Sequence, residues 1–130
     1  MIALTIRTDK PDAEIGLFEG TKELGYESWQ AHRELGVTIH TKILTLLKTH
    51  QKSWPDLGGI VFYKGPGSFT GLRIGATVAN TLADSLDIAI VAAGGDDWLK
   101  EGLSLLENKK NNQKVVPFYD SEVHITKPVR

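Results

Sequence analysis

Hydrophobic and polar positions alternate in residues 2 to 7, Ile2-Ala3-Leu4-Thr5-Ile6-Arg7, which predicts a strand. Lys10-Pro11-Asp12 reads as a turn, because Pro11 cannot continue a strand except at an edge. Residues 13 to 18 predict the returning strand, Glu19-Gly20-Thr21-Lys22 a second turn, and residues 23 to 30 a third, more exposed strand. The chain therefore opens with an antiparallel meander. The period then changes. Between residues 33 and 50, Val37, Ile39, Ile43, Leu46 and Leu47 recur at helical spacing, with Lys42, Lys48 and Gln51 outside, which predicts a helix. Ser53-Trp54-Pro55-Asp56 interrupts the chain, and the continuous apolar run of residues 57 to 63 predicts a buried strand. A helix over residues 69 to 86 and a strand over residues 87 to 93 follow, an order that predicts parallel neighbouring strands. A last helix runs from about Trp98 to Glu107, with Asp96 or Asp97 as its N-cap. The polar run 108 to 113 reads as a mobile loop, residues 115 to 119 as a short edge strand, and the rest to Arg130 as an extended tail. The pattern implies one α/β lobe over residues 1 to 107, with a mixed sheet and helices packed on it, and an appendage over residues 108 to 130.

The stretch that organises this lobe is Gly65-Pro66-Gly67-Ser68-Phe69-Thr70-Gly71-Leu72-Arg73-Ile74-Gly75, a glycine-rich turn between a strand and a helix. Two readings compete for it. In one, Gly65, Gly67, Ser68, Thr70 and Arg73 surround an anion, because a helix start offers free N–H groups. In the other, the turn lets the helix pack closely on another backbone. No Gly-Lys-Ser/Thr closes the motif, so it is not a Walker loop, and it lacks the dinucleotide fingerprint. Gly71, Gly75 and Ala79 recur every four residues and share one helix face, with Ala76 and Ala83 beside them. Leu72, Ile74, Val78, Leu82 and Leu86 make the helix apolar on more than one side, which means burial on two sides. One side belongs on the sheet. The other lies under a neighbouring helix or under a second subunit.

Composition narrows the chemistry. The chain has 130 residues, a formal net charge of -1 and no cysteine, which marks neither a free-standing nucleic-acid binder nor a disulfide scaffold. No N-terminal export signal and no membrane-length apolar run is evident, and the expected location is the cytoplasm. His32, His40, His50 and His124 show no metal-ligand spacing, and Ser68 has no evident His and Asp partners. Asp9 and Asp12 suit ordinary turn chemistry rather than a two-metal centre, and Lys64 and Arg73 suit solvated or paired roles. No catalytic residue, metal or cofactor is expected.

The motif resembles the signature of the TsaB (YeaZ) family, the non-catalytic partners in forming threonylcarbamoyl adenosine on tRNA. The similarity extends to Leu4-Thr5-Ile6-Arg7-Thr8-Asp9 in place of the family's first strand and Asp-Thr-Ser turn. It also takes in Glu14-Ile15-Gly16-Leu17-Phe18-Glu19-Gly20 and Asp87-Ile88-Ala89-Ile90-Val91-Ala92-Ala93. The resemblance implies a ribonuclease-H-like lobe of the actin-like ATPase superfamily. It further implies a scaffold that binds a TsaD-type catalytic subunit, with a TsaE-type ATPase as a further partner, tRNA met only within the complex, and a homodimer when the partner is absent. The contact would be made by helices 33 to 50 and 69 to 86, through Gly71, Ile74, Gly75, Val78, Ala79, Leu82, Ile43 and Leu47, so that Ala79→Arg would abolish the complex and spare the fold. The alternatives are a small phosphate- or nucleotide-binding domain using the turn from Gly65 to Gly71, and a self-associating remnant. Two departures stand out. The chain is too short for the family's second lobe, and its end at Ile125-Thr126-Lys127-Pro128 reads as a terminus. Arg7 stands where actin-like enzymes place an acid for a metal–nucleotide complex.

Overall fold

The computed structural model describes residues 1–117. Three strands form the opening meander: β1 (Ile2–Arg7), β2 (Asp12–Glu19) and β3 (Lys22–Gln30). A single 3-10 turn at His32–Glu34 leads into helix α1 (Leu35–Thr49), so the helix starts two residues later than its apolar period suggests. Strand β4 (Leu57–Tyr63), helix α2 (Phe69–Leu86), strand β5 (Ala89–Ala93) and helix α3 (Trp98–Glu107) complete the lobe. The five strands stand in the order β3-β2-β1-β4-β5. β1–β2 and β2–β3 are antiparallel, whereas β1–β4 and β4–β5 are parallel. This is the ribonuclease-H-like arrangement, and the meander and the parallel neighbours agree with the hydrophobic pattern.

Helices cover both faces of the sheet. A Cβ on Gly102 of α3 would meet the Val61 side chain, and a Cβ on Gly75 of α2 would meet Phe62. Adjacent strand residues point to opposite faces, so α2 and α3 lie on opposite sides. α1 packs beside α2 against β2 and β3. It buries Leu35, Ile39, Ile43, Leu46 and Leu47, but Val37, placed on the same apolar stripe by its spacing, is 78% exposed. The buried stripe follows i, i+4, i+8, i+11 and i+12 from Leu35, and Val37 falls on the opposite side of the helix. β3 is held to α1 by Trp29 Nε1 donating to Thr38 Oγ1 at 3.0 Å and by Lys42 Nζ on Glu27 at 3.1 Å.

β1 is central and buried on both faces, so its alternation does not mark a solvent side. Gly16 stands opposite Thr5, and Phe18 and Tyr26 fold into the space its missing side chain leaves. Thr5 is thereby fully buried, and its hydroxyl alone among the described buried side chains has no hydrogen-bond partner.

The start of α2 is docked on the turn that follows β1. A Cβ on Gly67 would collide with Asp9, one on Gly71 with the Thr8 carbonyl oxygen, and one on Gly75 with Thr8 Oγ1. Gly71 and Gly75 lie four apart on one face of α2, and Gly67 stands just before its N-cap. Thr8 Oγ1 donates to the Gly71 carbonyl at 2.8 Å, and Ser68 N–H donates to the Asp9 carbonyl at 3.1 Å. Ser68 occupies the N-cap position without a side-chain cap bond, as does Asp97 at α3, so the expected carboxylate cap does not form. α2 ends with Asp87 in the left-handed conformation (φ 55°) and Ile88 N–H donating to Ala83 O, a six-to-one closure of the last turn.

The segment after α3, expected to be a mobile loop, is tied down. Asn111 Oδ1 accepts from Ile90 N–H and Asn112 Oδ1 from Ala92 N–H, both at 3.1 Å, so side-chain amides cap the outer edge of β5. Asn80 of α2 both donates to Val115 O and accepts from Val115 N–H. Residues 115 to 117 are not strand, and the remainder of the expected edge strand and tail lies outside the described residues.

Two stability outcomes follow. Replacing Thr5 by Val removes a buried hydroxyl without a partner at nearly constant shape and is expected to stabilise the lobe by about 1 kcal/mol in denaturant unfolding. Gly71→Ala forces a methyl group onto the Thr8 carbonyl and is expected to destabilise by about 1–3 kcal/mol, the cost of overpacking; an unchanged midpoint would mean that this close approach is not needed.

Candidate docking groove and the strand-end cluster

α1 and α2 diverge enough to leave a groove between them. Its main part has a volume of about 500 Å³, with Ile39 and Leu82 deep in it and Val78, Leu86, His40 and Trp54 around it. It continues past Gly36, Thr77 and Val78 into a second hollow of about 400 Å³ bounded by Thr70, Arg73 and Ile74. His40 stacks on Trp54 with ring centroids 5.0 Å apart, giving the groove a flat aromatic wall. Arg73 lies over the Phe69 ring at 5.4 Å, so the charge at the far end rests on an aromatic face.

Several residues expected to touch a partner are inside the lobe. Ala79, Ile43 and Leu47 are fully buried, Gly75 is buried, and Gly71 and Gly75 are packed on Thr8. The small-residue stripe therefore serves an intramolecular approach. Placing Arg at Ala79 would put a charge into the core rather than at a contact. Ile74 and Val78 remain half-exposed, and Leu82 lies deep in the groove. Gly36, His40, Trp54, Thr77, Thr81, Ser85 and Leu86 also line it and were not anticipated. On α2 the signal was present: Val78, Thr81, Leu82 and Ser85 share the face adjacent to the glycine stripe. For Trp54, which comes from the turn before β4, no periodicity points to the groove.

The motif turn is itself built for packing. Gly65 has φ 124°, and its carbonyl accepts from Gly95 N–H at 3.2 Å. Gly67 has no positive φ; its role is the close approach to Asp9. A carboxylate so close to the turn opposes an anion there. Tyr63 Oη donates to the Pro66 carbonyl at 2.7 Å, which pins the turn to β4.

At the carboxyl ends of β1 and β4 the sequence expectation for Asp9 also changes. Asp9 is buried, and Arg7 grips it with Nε to Oδ1 at 2.7 Å and a second, longer bond to Oδ2 at 3.3 Å. The guanidinium lies 4.0 Å over the Tyr63 ring, and Trp98 meets the same ring edge-on at 5.4 Å. The hydrogen bond from Arg7 to Asp9, more than any other cause, raises the arginine pKa above its ordinary value. Burial raises that of Tyr63. Both groups therefore keep their protons across the neutral range. Among the described residues no group of three or more His, Asp or Glu is placed to hold a metal ion. No helix among them is long and apolar enough to cross a membrane.

Comparison with known proteins gives these placements a family. The model of the family described as "TsaD: tRNA N6-adenosine threonylcarbamoyltransferase" matches residues 28–94, just over half of the chain, from the end of β3 through β5. The tRNA threonylcarbamoyladenosine biosynthesis protein TsaB of Bacillus subtilis (strain 168) is 68% identical over 44 residues, 34% of this chain and 19% of that protein. The TsaB protein of Haemophilus influenzae is 27% identical over 111 residues, 81% of this chain and 47% of that protein. In fold, the chain is similar to YeaZ from Pseudomonas aeruginosa, with a TM-score of 0.66 at 24% identity, over 72% of this chain and 43% of that one. The chain thus spans less than half the length of these relatives. By the family model and the relatives together, it belongs to the TsaD family that the model describes and, within it, to the TsaB (YeaZ) proteins.

Proposed function

We propose that this chain serves threonylcarbamoyladenosine biosynthesis on tRNA as a non-catalytic docking subunit, with the α1–α2 groove as its contact with a TsaD-type catalytic subunit. The observation that carries the reading is the groove itself: an apolar cleft about 500 Å³ in volume between two long helices, in a chain that belongs to this family. A helix laid into it would cover Val78, Leu86 and Trp54, which the lobe leaves partly exposed. A specific contact of this kind buries roughly 1,200 Å² or more, so the exposed outer surfaces of both helices would take part. Catalysis falls to the partner in this reading. It is supported by the strand-end cluster, where the Asp9 carboxylate is already taken up by Arg7.

A TsaE-type ATPase and tRNA would meet the chain only through the complex. Alone, the same apolar face would favour a homodimer, because such a surface seldom stays bare. The cytoplasm is the compartment this role requires.

The test is a calorimetric titration with the TsaD-type subunit of the same source. Binding tighter than about 1 μM is expected. Val78→Arg places a bulky charge on the half-exposed rim rather than in the core, and an unpaired buried charge costs about 3–5 kcal/mol, enough to weaken binding at least ~100-fold. Its thermal midpoint should stay near that of the parent. A folded Val78→Arg chain that still binds as tightly would sink the groove as the contact.

A further inference from the structure

Ligands of α/β sheets collect in the crevice at the carboxyl ends of the parallel strands. In this lobe that place is the end of β1 and β4. A divalent ion there would need carboxylate oxygens with free lone pairs directed at it. The residues present do not fit one, because the carboxylate oxygens of Asp9 and of Glu14 beside it are already engaged by donors of the chain itself. Asp9 Oδ1 and Oδ2 take Arg7 Nε and Nη2. Across the β1–β2 register from Arg7, Glu14 Oε1 takes Tyr26 Oη at 2.7 Å and Oε2 takes Lys10 Nζ at 3.4 Å.

We infer that Arg7 is a resident cation: its guanidinium stands where a dissolved divalent ion would otherwise collect at the ends of β1 and β4, and by gripping Asp9 and lying on Tyr63 it holds the motif turn closed. Three contacts carry the second half. Arg7 fixes the Asp9 side chain, against which Gly67 is packed. It covers the ring of Tyr63, whose hydroxyl holds the Pro66 carbonyl. Asp9 in turn accepts Ser68 N–H through its main-chain oxygen, at the first turn of α2. A planar, permanently charged group suits this place better than an ion, since it bonds the carboxylate through a fixed fork and stacks on an aromatic face at once. It also needs no supply from solution, so the turn is held at any metal concentration. The residue acts by positioning, not by touching a substrate.

The prediction concerns the full chain and uses terbium(III) as the probe, since Tyr63 and Trp98 lie close enough to sensitise its luminescence. The parent chain is expected to give no saturable terbium signal that depends on Asp9. Arg7→Met, similar in length but neutral, frees the Asp9 carboxylate and is expected to give a saturable signal that Arg7→Met combined with Asp9→Asn abolishes. In the same variant, amide exchange at Gly67, Ser68 and Phe69 is expected to speed up relative to β4. Two outcomes overturn the inference. One is a parent chain that binds terbium in an Asp9-dependent way, which means an open crevice. The other is a folded Arg7→Met chain with neither metal binding nor faster exchange in the turn. If Arg7→Met does not fold, the parent alone decides: stabilisation by 1 mM manganese(II) that Asp9→Asn removes overturns the closed crevice, and an unmoved midpoint supports it.

Discussion

The close approach of α2 to the turn after β1 is the constraint on which the rest of this lobe depends. Three positions, Gly67, Gly71 and Gly75, give up their side chains so that two backbones can meet at Thr8 and Asp9. Glycine within a helix is unfavourable by about 1 kcal/mol relative to alanine, so Gly71 and Gly75 weaken α2 as an isolated helix. The approach offsets this with a hydrogen bond from Thr8 Oγ1 to the Gly71 carbonyl and another from Ser68 N–H to the Asp9 carbonyl. Because the glycine face is turned inward, the rotation of the whole helix is set. Ala79 and Ala83 go to the core, while Thr77, Thr81 and Ser85 are left outside. The groove beside α1 is the consequence of that rotation.

The same contact separates two uses of a glycine-rich turn that look alike in sequence. A phosphate cradle keeps its glycine backbone open to solvent and gathers cations around it. Here the space where side chains on Gly67, Gly71 and Gly75 would go is filled by Asp9 and Thr8, and Arg7 beside them already has a carboxylate and an aromatic ring. What comes close at these glycines is the chain itself.

Much of the fold was legible because each element carried its own period. The meander, the helices and the parallel pair β4–β5 each follow from runs whose spacing changes at Gly, Pro or Asp. What could not be read was the facing of residues that obey two patterns at once. Ala79 belongs both to a small-residue stripe and to an apolar helix, and spacing alone does not say whether the stripe meets a partner or the chain's own strand. Val37 failed for a simpler reason: a valine near a helix start is counted with the stripe unless the phase is carried back from Leu46 and Leu47. Asp9 was assigned to turn chemistry because its partner, two residues before it, becomes a partner only once β1 ends in a turn. The asparagines at 111 and 112 read as loop by composition, yet the edge of β5 has unpaired N–H groups that their amides satisfy.

The groove is suited to being covered because its walls are largely apolar. Burying a hydroxyl is expensive only when its hydrogen bond to water is lost without replacement. Thr77 on the rim already donates to the Arg73 carbonyl one turn back at 3.0 Å. Such an internal bond leaves this threonine with little demand on solvent. Deep between the rims lie Ile39 and Leu82, and one wall is the His40–Trp54 stack. A partner helix entering from outside therefore displaces water chiefly from apolar surface. That asymmetry, more than the area alone, distinguishes this face from the far side of the sheet, where Arg7, Glu14 and Tyr26 are committed to one another and to their neighbours and offer a newcomer little that is free.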